Sequence, residues 1–246
     1  MSRTSSDRSS PGRFPTTHWS RVVAAGDPRA PQAREALTAL CNAYWYPLYA
    51  YIRSRGHAPE QAQDLTQDFF AYVLERELLT KADPDRGRFR GFLRIVCARL
   101  LSGERERVNA RKRGGGKTAL SIDVEDAEGR YSREPCHELT PERIFDRTWA
   151  LTLLGRVLEQ LGEEYSAGGQ SVTFEALSPV LTDGPRAVSY ATLAARLGTT
   201  EGAVRVSVHR LRRRYGDRLR AEIAATVDDP AEVDDEIRAL FDALGS

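Results

Sequence analysis

YATLAARLGTTEGAVRVSVHRLRRRY, residues 190–215, decides the fold. Val204, Val208, Leu211 and Tyr215 fall three or four residues apart, and Leu219 continues the series. That spacing is one apolar stripe of an α-helix. Ser189 stands where the preceding helix begins, Gly198 where it stops, and Thr200 where the second helix takes its cap. Two helices joined by a short glycine-containing turn are the pattern of a helix-turn-helix. Stepping about 100° per residue from Val204 sets Val206, His209, Arg210 and Arg213 opposite the stripe. Arg205 and Arg212 flank one edge; Arg214 and Arg218 flank the other. A helix so divided buries its stripe against the first helix and offers its outer face to a major groove, with the flanking arginines on phosphates. Arg205, Val206, His209, Arg210 and Arg213 are therefore the candidate DNA-contacting residues. An outer arginine can pair bidentately with guanine O6 and N7, worth about 1–3 kcal/mol of discrimination. The plainer alternative is a solvated basic helix. The preceding helix, the glycine turn and the threonine cap all argue against it.

Working outward, charge is segregated along the chain. The net charge of the 246 residues is only +1, yet of 36 Lys and Arg, 11 lie between Arg86 and Lys117 and 7 between Ala203 and Arg220. Residues 222–246 carry eight acids and one arginine, Arg238. Two basic patches and an acidic tail point to a polyanion partner, nucleic acid before any other. No stretch approaches the ~18 apolar residues of a membrane span. MSRTSSDRSSPGRF lacks the apolar region of a secretory signal and reads as a disordered tail, 1–15. The three cysteines, Cys41, Cys97 and Cys136, form no CxxC, and their odd number argues against disulfides and a zinc site. The adjacent Cys136 and His137 cannot make a metal site alone. No metal, no cofactor and no membrane contact are expected, and the compartment expected is the cytoplasm.

Helical patterning continues on both sides of a break. Thr17 can cap a first helix over HWSRVVAAG. APQAREALTALCNAYWYPLYAYIRSRG reads as a second that stops at Gly56, with Pro47 predicting a kink or break near Tyr46. A third runs from Pro59 to Leu79. A fourth spans Gly87 to Arg113, with Phe89, Phe92, Val96, Leu100 and Leu101 on its buried side. GGGKTALSIDVEDAEGRYSREPCHELT then reads as a linker over 114–140. Thr140-Pro141-Glu142 combines an N-cap, a proline at the first helical position and an acid in the first turn. Its helix runs to Gly168-Gly169, and SVTFEALSPVL is a shorter one. Val233, Ile237, Leu240, Phe241 and Leu244 make the apolar face of an acidic tail helix, which either packs on its own domain or folds over a basic DNA face. No strand and no repeat are evident. The fold class expected is all-α: two small helical domains, 16–113 and 141–225, joined by a flexible linker, with the tail helix at 226–246.

The front domain has two further features. RGRFRGFLRIVCARLLSGERERVNARKRGG combines basic residues with Phe89 and Phe92, a composition that can hold single-stranded or melting DNA. The phenylalanines lie on the apolar stripe and read first as core. QAQDLTQDFFAYVLE can bury Leu65, Phe69, Tyr72 and Val73 while Asp64, Gln67 and Asp68 point outward beside Phe70, a mix suited to a protein interface. An enzymatic reading, such as a nuclease, needs clustered carboxylates or a metal set. The histidines 18, 57, 137 and 209 are scattered, and GGGKT at 114–118 lacks the spacing of a phosphate loop. The expectation is a protein that is not an enzyme.

On these residues a family resemblance stands. AQDLTQDFFAYVL, then FRGFLRIVCARLL with its basic run, resembles region 2 of bacterial RNA polymerase sigma factors, and YATLAARLGTTEGAVRVSVHRLRRRY resembles region 4. A linker between them resembles the extracytoplasmic-function class. The resemblance covers about residues 16 to 225 and implies a transcription initiation factor that binds core RNA polymerase, through its β′ clamp and β flap, and directs it to promoter DNA. It implies polymerase binding by Asp64, Leu65, Gln67, Asp68 and Phe70. It implies downstream-element binding by Arg99, Arg105, Arg107, Arg111 and Arg113, and upstream-element binding by the terminal helix pair. Gln61 and Gln63 stand where the family commonly carries acids, and Thr66 lies inside the docking segment. Phosphorylation there would add about −1.5 to −2 charge, which makes Thr66 a candidate acceptor for a Ser/Thr kinase. An anti-sigma protein is the other regulatory partner the family implies. The alternative is a stand-alone helix-turn-helix regulator that never touches polymerase. It leaves QAQDLTQDFF and the front basic helix unexplained.

Overall fold

The structure, a computed structural model, describes residues 33–75, 78–81, 89–108, 124–133, 139–183, 188–224 and 230–245. The expected tail at 1–15, the helix after Thr17, residues 109–123, Cys136 and His137 lie outside them. Every regular element described is helical: α1 (Ala33–Ser54), α2 (Pro59–Glu75), α3 (Phe89–Val108), α4 (Val124–Arg133), α5 (Pro141–Ala167), α6 (Ser171–Leu177), α7 (Pro179–Thr182), α8 (Tyr190–Leu197), α9 (Glu201–Ala224) and α10 (Val233–Leu244), with single 3-10 turns at Leu78–Lys81 and Pro230–Glu232. The molecule is all-α. None of the described helices is long and apolar enough to cross a membrane.

The centre is α1. Tyr44, Trp45, Tyr46, Leu48, Tyr49, Ala50, Tyr51 and Ile52 are all buried. A helix apolar on every side must be covered on every side, and α2, α4 and α5 supply the cover. Of the kink or break expected near Tyr46, the break does not occur: α1 runs unbroken from Ala33 to Ser54 through Pro47. A mid-helix proline costs about 3 kcal/mol. Burial of the neighbouring tyrosines and Trp45, at roughly 25 cal/mol per Å² of apolar surface, outweighs it. Gly56, at φ +90°, ends the run.

The segment expected as linker holds α4. Its Glu128 accepts from the Tyr49 hydroxyl at 2.5 Å and, bidentately, from Arg53 Nε at 2.9 Å and Nη2 at 2.7 Å. Arg130 lies over the Tyr46 ring at 3.9 Å and Arg53 over that of Tyr131 at 5.0 Å. A flexible linker was expected across 124–133; a helix fastened to α1 occupies it. Val124, Ala127 and Tyr131 do fall at helical spacing, but the glycine and the charges around them have the composition of a linker. The fastening comes from α1.

The two cores divide along α5 rather than at residues 114–140. Ile144, Phe145, Trp149, Ala150, Leu153 and Val157 join the large core with α1, α2, α3 and α10; Leu219 and Ile223 of α9 belong to it too. Leu161 and Tyr165 join a smaller core with Ala176, Leu177, Val180, Leu193, Ala194, Val204, Val208 and Leu211. One helix of 27 residues threads both. It starts as expected: Thr140 caps it by accepting from Arg143 N–H at 3.3 Å, with Pro141 at the first position.

Candidate nucleic-acid interface

The local chemistry of 189–204 sets the geometry of α8 and α9. The Ser189 hydroxyl accepts from Thr192 N–H at 3.1 Å, satisfying one orphan donor of α8. Gly198 adopts φ +63°, ψ 36°, and Thr199 N–H returns to Ala194 O at 3.0 Å. That left-handed residue is what ends α8 and turns the chain. Thr200 Oγ1 then accepts from Ala203 N–H at 3.2 Å and opens α9.

The stripe falls where its spacing puts it. Val204, Val208, Leu211 and Leu219 are buried. Tyr215 is half-buried between the two cores, and its hydroxyl donates to Leu154 O at 3.2 Å. Burial raises its pKa to about 12. Opposite the stripe, Val206, His209, Arg210 and Arg213 are all exposed, Val206 at 48%, as is Arg205 at its edge. Among the described residues Arg213 reaches only Asp217, at 3.9 Å and largely exposed, a pair too screened to hold it.

The two flanks are unequal, which corrects the expectation that both grip phosphates. Arg212 and Arg205 are exposed on theirs. On the other, Arg214 binds Glu164 at 3.0 Å and lies over the Tyr165 ring at 5.1 Å, and Arg218 binds Glu164 and approaches Gln160 Oε1 at 3.4 Å. These two arginines fasten α9 to α5. Nothing local to 201–220 marks Glu164 as their partner.

In the front half, α3 places Phe89, Val96 and Leu101 of the expected stripe in the core and leaves Phe92 and Leu100 partly buried, while Leu93 and Cys97, outside that stripe, are buried as well. Burial alone raises Cys41 to about 11, and with it chiefly Cys97 to about 12, so neither thiol is reactive at neutral pH. Arg99 is exposed, beside Ile95 at 53%. Arg105 and Arg107 lie on the same helix, but their side chains lie outside the described residues, as do Arg111 and Arg113 altogether. The structure therefore places one of these five side chains.

The segment 61–74 is turned differently from expectation. Asp64 is exposed, Gln67 and Asp68 are half-buried, and Leu65 is buried. Phe70, expected at the surface, is 5% exposed and packs edge-on to Phe69 at 5.5 Å; Tyr72, expected inside, is at the surface. The reason is that α2 meets both α1 and α3 and so buries a wider face than one stripe. Thr66 is fully buried, and its hydroxyl donates to Ala62 O at 2.7 Å. The expected phosphate acceptor has no accessible hydroxyl in this fold.

The acidic tail helix α10 buries Val233, Glu236 and Leu240. Phe241, expected on the buried face, is 54% exposed. Asp234 pairs with Arg220 at 2.5 Å, beyond the outer face of α9. Arg205, His209 and Arg210 remain uncovered. Among the described residues no group of three or more His, Cys, Asp or Glu is placed to hold a metal ion.

What the arrangement offers is a helix buried along one side and tied along an adjacent one, with arginines, Val206 and His209 on its outer face. Such a face can meet a phosphate backbone and a groove floor together. Compared with family models, with curated proteins and with solved structures, the chain finds no match.

Proposed function

We propose that the chain is a transcription initiation factor of the sigma type, which binds core RNA polymerase and directs it to promoters by reading duplex DNA with α8 and α9 as a helix-turn-helix. One observation carries the reading. The outer face of α9 presents Arg205, Val206, His209, Arg210 and Arg213 to solvent, while its stripe is buried and its far flank is fixed to Glu164. Base contacts need a reader held in a constant pose, and phosphate contacts need unpaired cations. Arg99 on α3 supports a second basic surface, and exposed Asp64 with half-buried Gln67 and Asp68 supports a polar docking edge on α2. The resemblance of both segments to sigma regions 2 and 4, in order, supports the polymerase partner.

Run-off transcription with core RNA polymerase and a genomic template library tests it. Discrete start sites are expected, lost in an Asp64→Ala, Gln67→Ala double variant and in Arg210→Ala. Duplex binding with neither transcripts nor a complex with core would replace the reading by that of a stand-alone regulator. Absence of duplex binding as well would remove both.

A further inference from the structure

Arg90 opens the front basic helix, yet it is not at the surface. It is 9% exposed and forms an ion pair with Glu236 of α10, a residue 2% exposed and 146 positions away in the chain. Its guanidinium lies over the Trp149 ring of α5 at 4.4 Å, and its Nε stands 3.5 Å from Asp146. Arg94, one turn further along α3, reaches the same Asp146 at 3.3 Å. Along α10, Val233 and Leu240 fill the core, Asp234 holds Arg220 of α9, and Arg147 of α5 donates to Leu244 O at 3.1 Å. One acidic helix therefore holds a cation from each of the two basic segments.

We propose that α10 is an intramolecular clasp that keeps Arg90 from nucleic acid, and that binding of duplex DNA to the front basic helix is coupled to release of α10. The proposal rests on the reading of the basic helices as DNA-binding. A guanidinium buried between Glu236, Asp146 and the Trp149 ring cannot at the same time meet a phosphate in solvent. A buried carboxylate and a buried guanidinium are each tolerated only while the other is present. Whatever loosens α10 must then strengthen duplex binding, and the duplex must loosen α10 to the same degree, because coupling between two sites is reciprocal. The clasp differs from a lid over the reading face: α10 leaves Arg205, His209 and Arg210 uncovered and acts by withdrawing a cation.

Hydrogen exchange and duplex binding in the full chain test this. Glu236→Gln keeps the shape of the side chain and removes its charge. Its α10 and the first turn of α3 should exchange faster than in the wild type. Affinity for a labelled mixed-sequence duplex should rise roughly threefold to tenfold, and the log–log salt slope should steepen by about one, the signature of one added phosphate contact. The double variant Arg90→Met, Glu236→Leu replaces the ion pair by apolar contact; its α10 should stay protected and its slope should be no steeper than wild type. In the wild-type protein, saturating duplex should lower the protection of α10. Unchanged exchange and slope in a folded Glu236→Gln protein would overturn the clasp. If Glu236→Gln does not fold, the wild-type experiment decides, and full protection of α10 under saturating duplex overturns the coupling. Absence of duplex binding in every protein sinks the DNA reading and the coupling together, and the exchange data then show separately whether Glu236 holds α3.

Discussion

Arg210 and Arg218 stand two turns apart on α9 and do different work. Arg210 is exposed with no partner among the described residues, whereas Arg218 is tied to Glu164 and Gln160 of α5. Arg210→Ala is expected to flatten the salt dependence of duplex binding by about 0.9 in log–log slope and to leave the thermal midpoint unchanged. Arg218→Ala should do the reverse: the slope stays, and stability falls by up to about 1 kcal/mol, as a partly exposed ion pair allows. Titrations at several salt concentrations beside thermal melts separate the two. The helical projection of residues 201–220 sorted stripe from outer face correctly because that division is a property of the helix alone. It could not tell the flank of Arg212 from that of Arg218, since the difference lies in a carboxylate on another helix. Phe70 and Tyr72 show the same limit: both are aromatic and two positions apart, and only the placement of α1 and α3 decides which is inside.

At the scale of the element, the turn between α8 and α9 depends on one backbone conformation. Gly198 has φ +63° and no atom within 4 Å of where a Cβ would sit. Gly198→Ala therefore meets no clash and should cost only the left-handed penalty, about 1 kcal/mol, read as a lowered unfolding midpoint. Its caps, Ser189 and Thr200, were legible because capping chemistry is local. Helix α4 was not, because what holds it is Glu128 on Tyr49 and Arg53. That contact carries a pH signature. The hydrogen bonds from Arg53, more than any other cause, hold the Glu128 carboxyl below its ordinary 4.5. A carboxylate whose pKa is depressed by folding contributes stability that is complete above the unfolded value and disappears as pH falls through the folded one. Exchange protection of α4 should accordingly be full at neutral pH and decline below about pH 4.5. In Glu128→Gln, protection should be lower at pH 7 and much less dependent on pH.

At the scale of the molecule, α5 joins what sequence patterning divides. The break at 114–140 is real in composition, and two helical domains joined by a linker were expected from it. The apolar face of α1, however, is covered by Ile144, Phe145, Trp149 and Leu153 from beyond that break. A fragment ending at residue 113 should therefore lack helical signal in circular dichroism, and the whole chain should melt with coincident tryptophan fluorescence and far-ultraviolet transitions. Two separate transitions would restore the independent domains. The all-helical class was legible from periodicity; the shared core was not, because nothing in a local window reports which distant helix covers a face. The all-round burial of α1 also has a consequence during synthesis. Tyr44 to Ile52 leave the ribosome roughly a hundred residues before the part of their cover that α5 supplies, and at ~5–20 residues per second that is several seconds or more. Through that interval α2 and α3 can cover part of a surface that holds a tryptophan and four tyrosines, and the face that α5 closes stays open. The chain's yield in the cell should thus depend on ribosome-associated chaperones more than the stability of the finished protein would suggest.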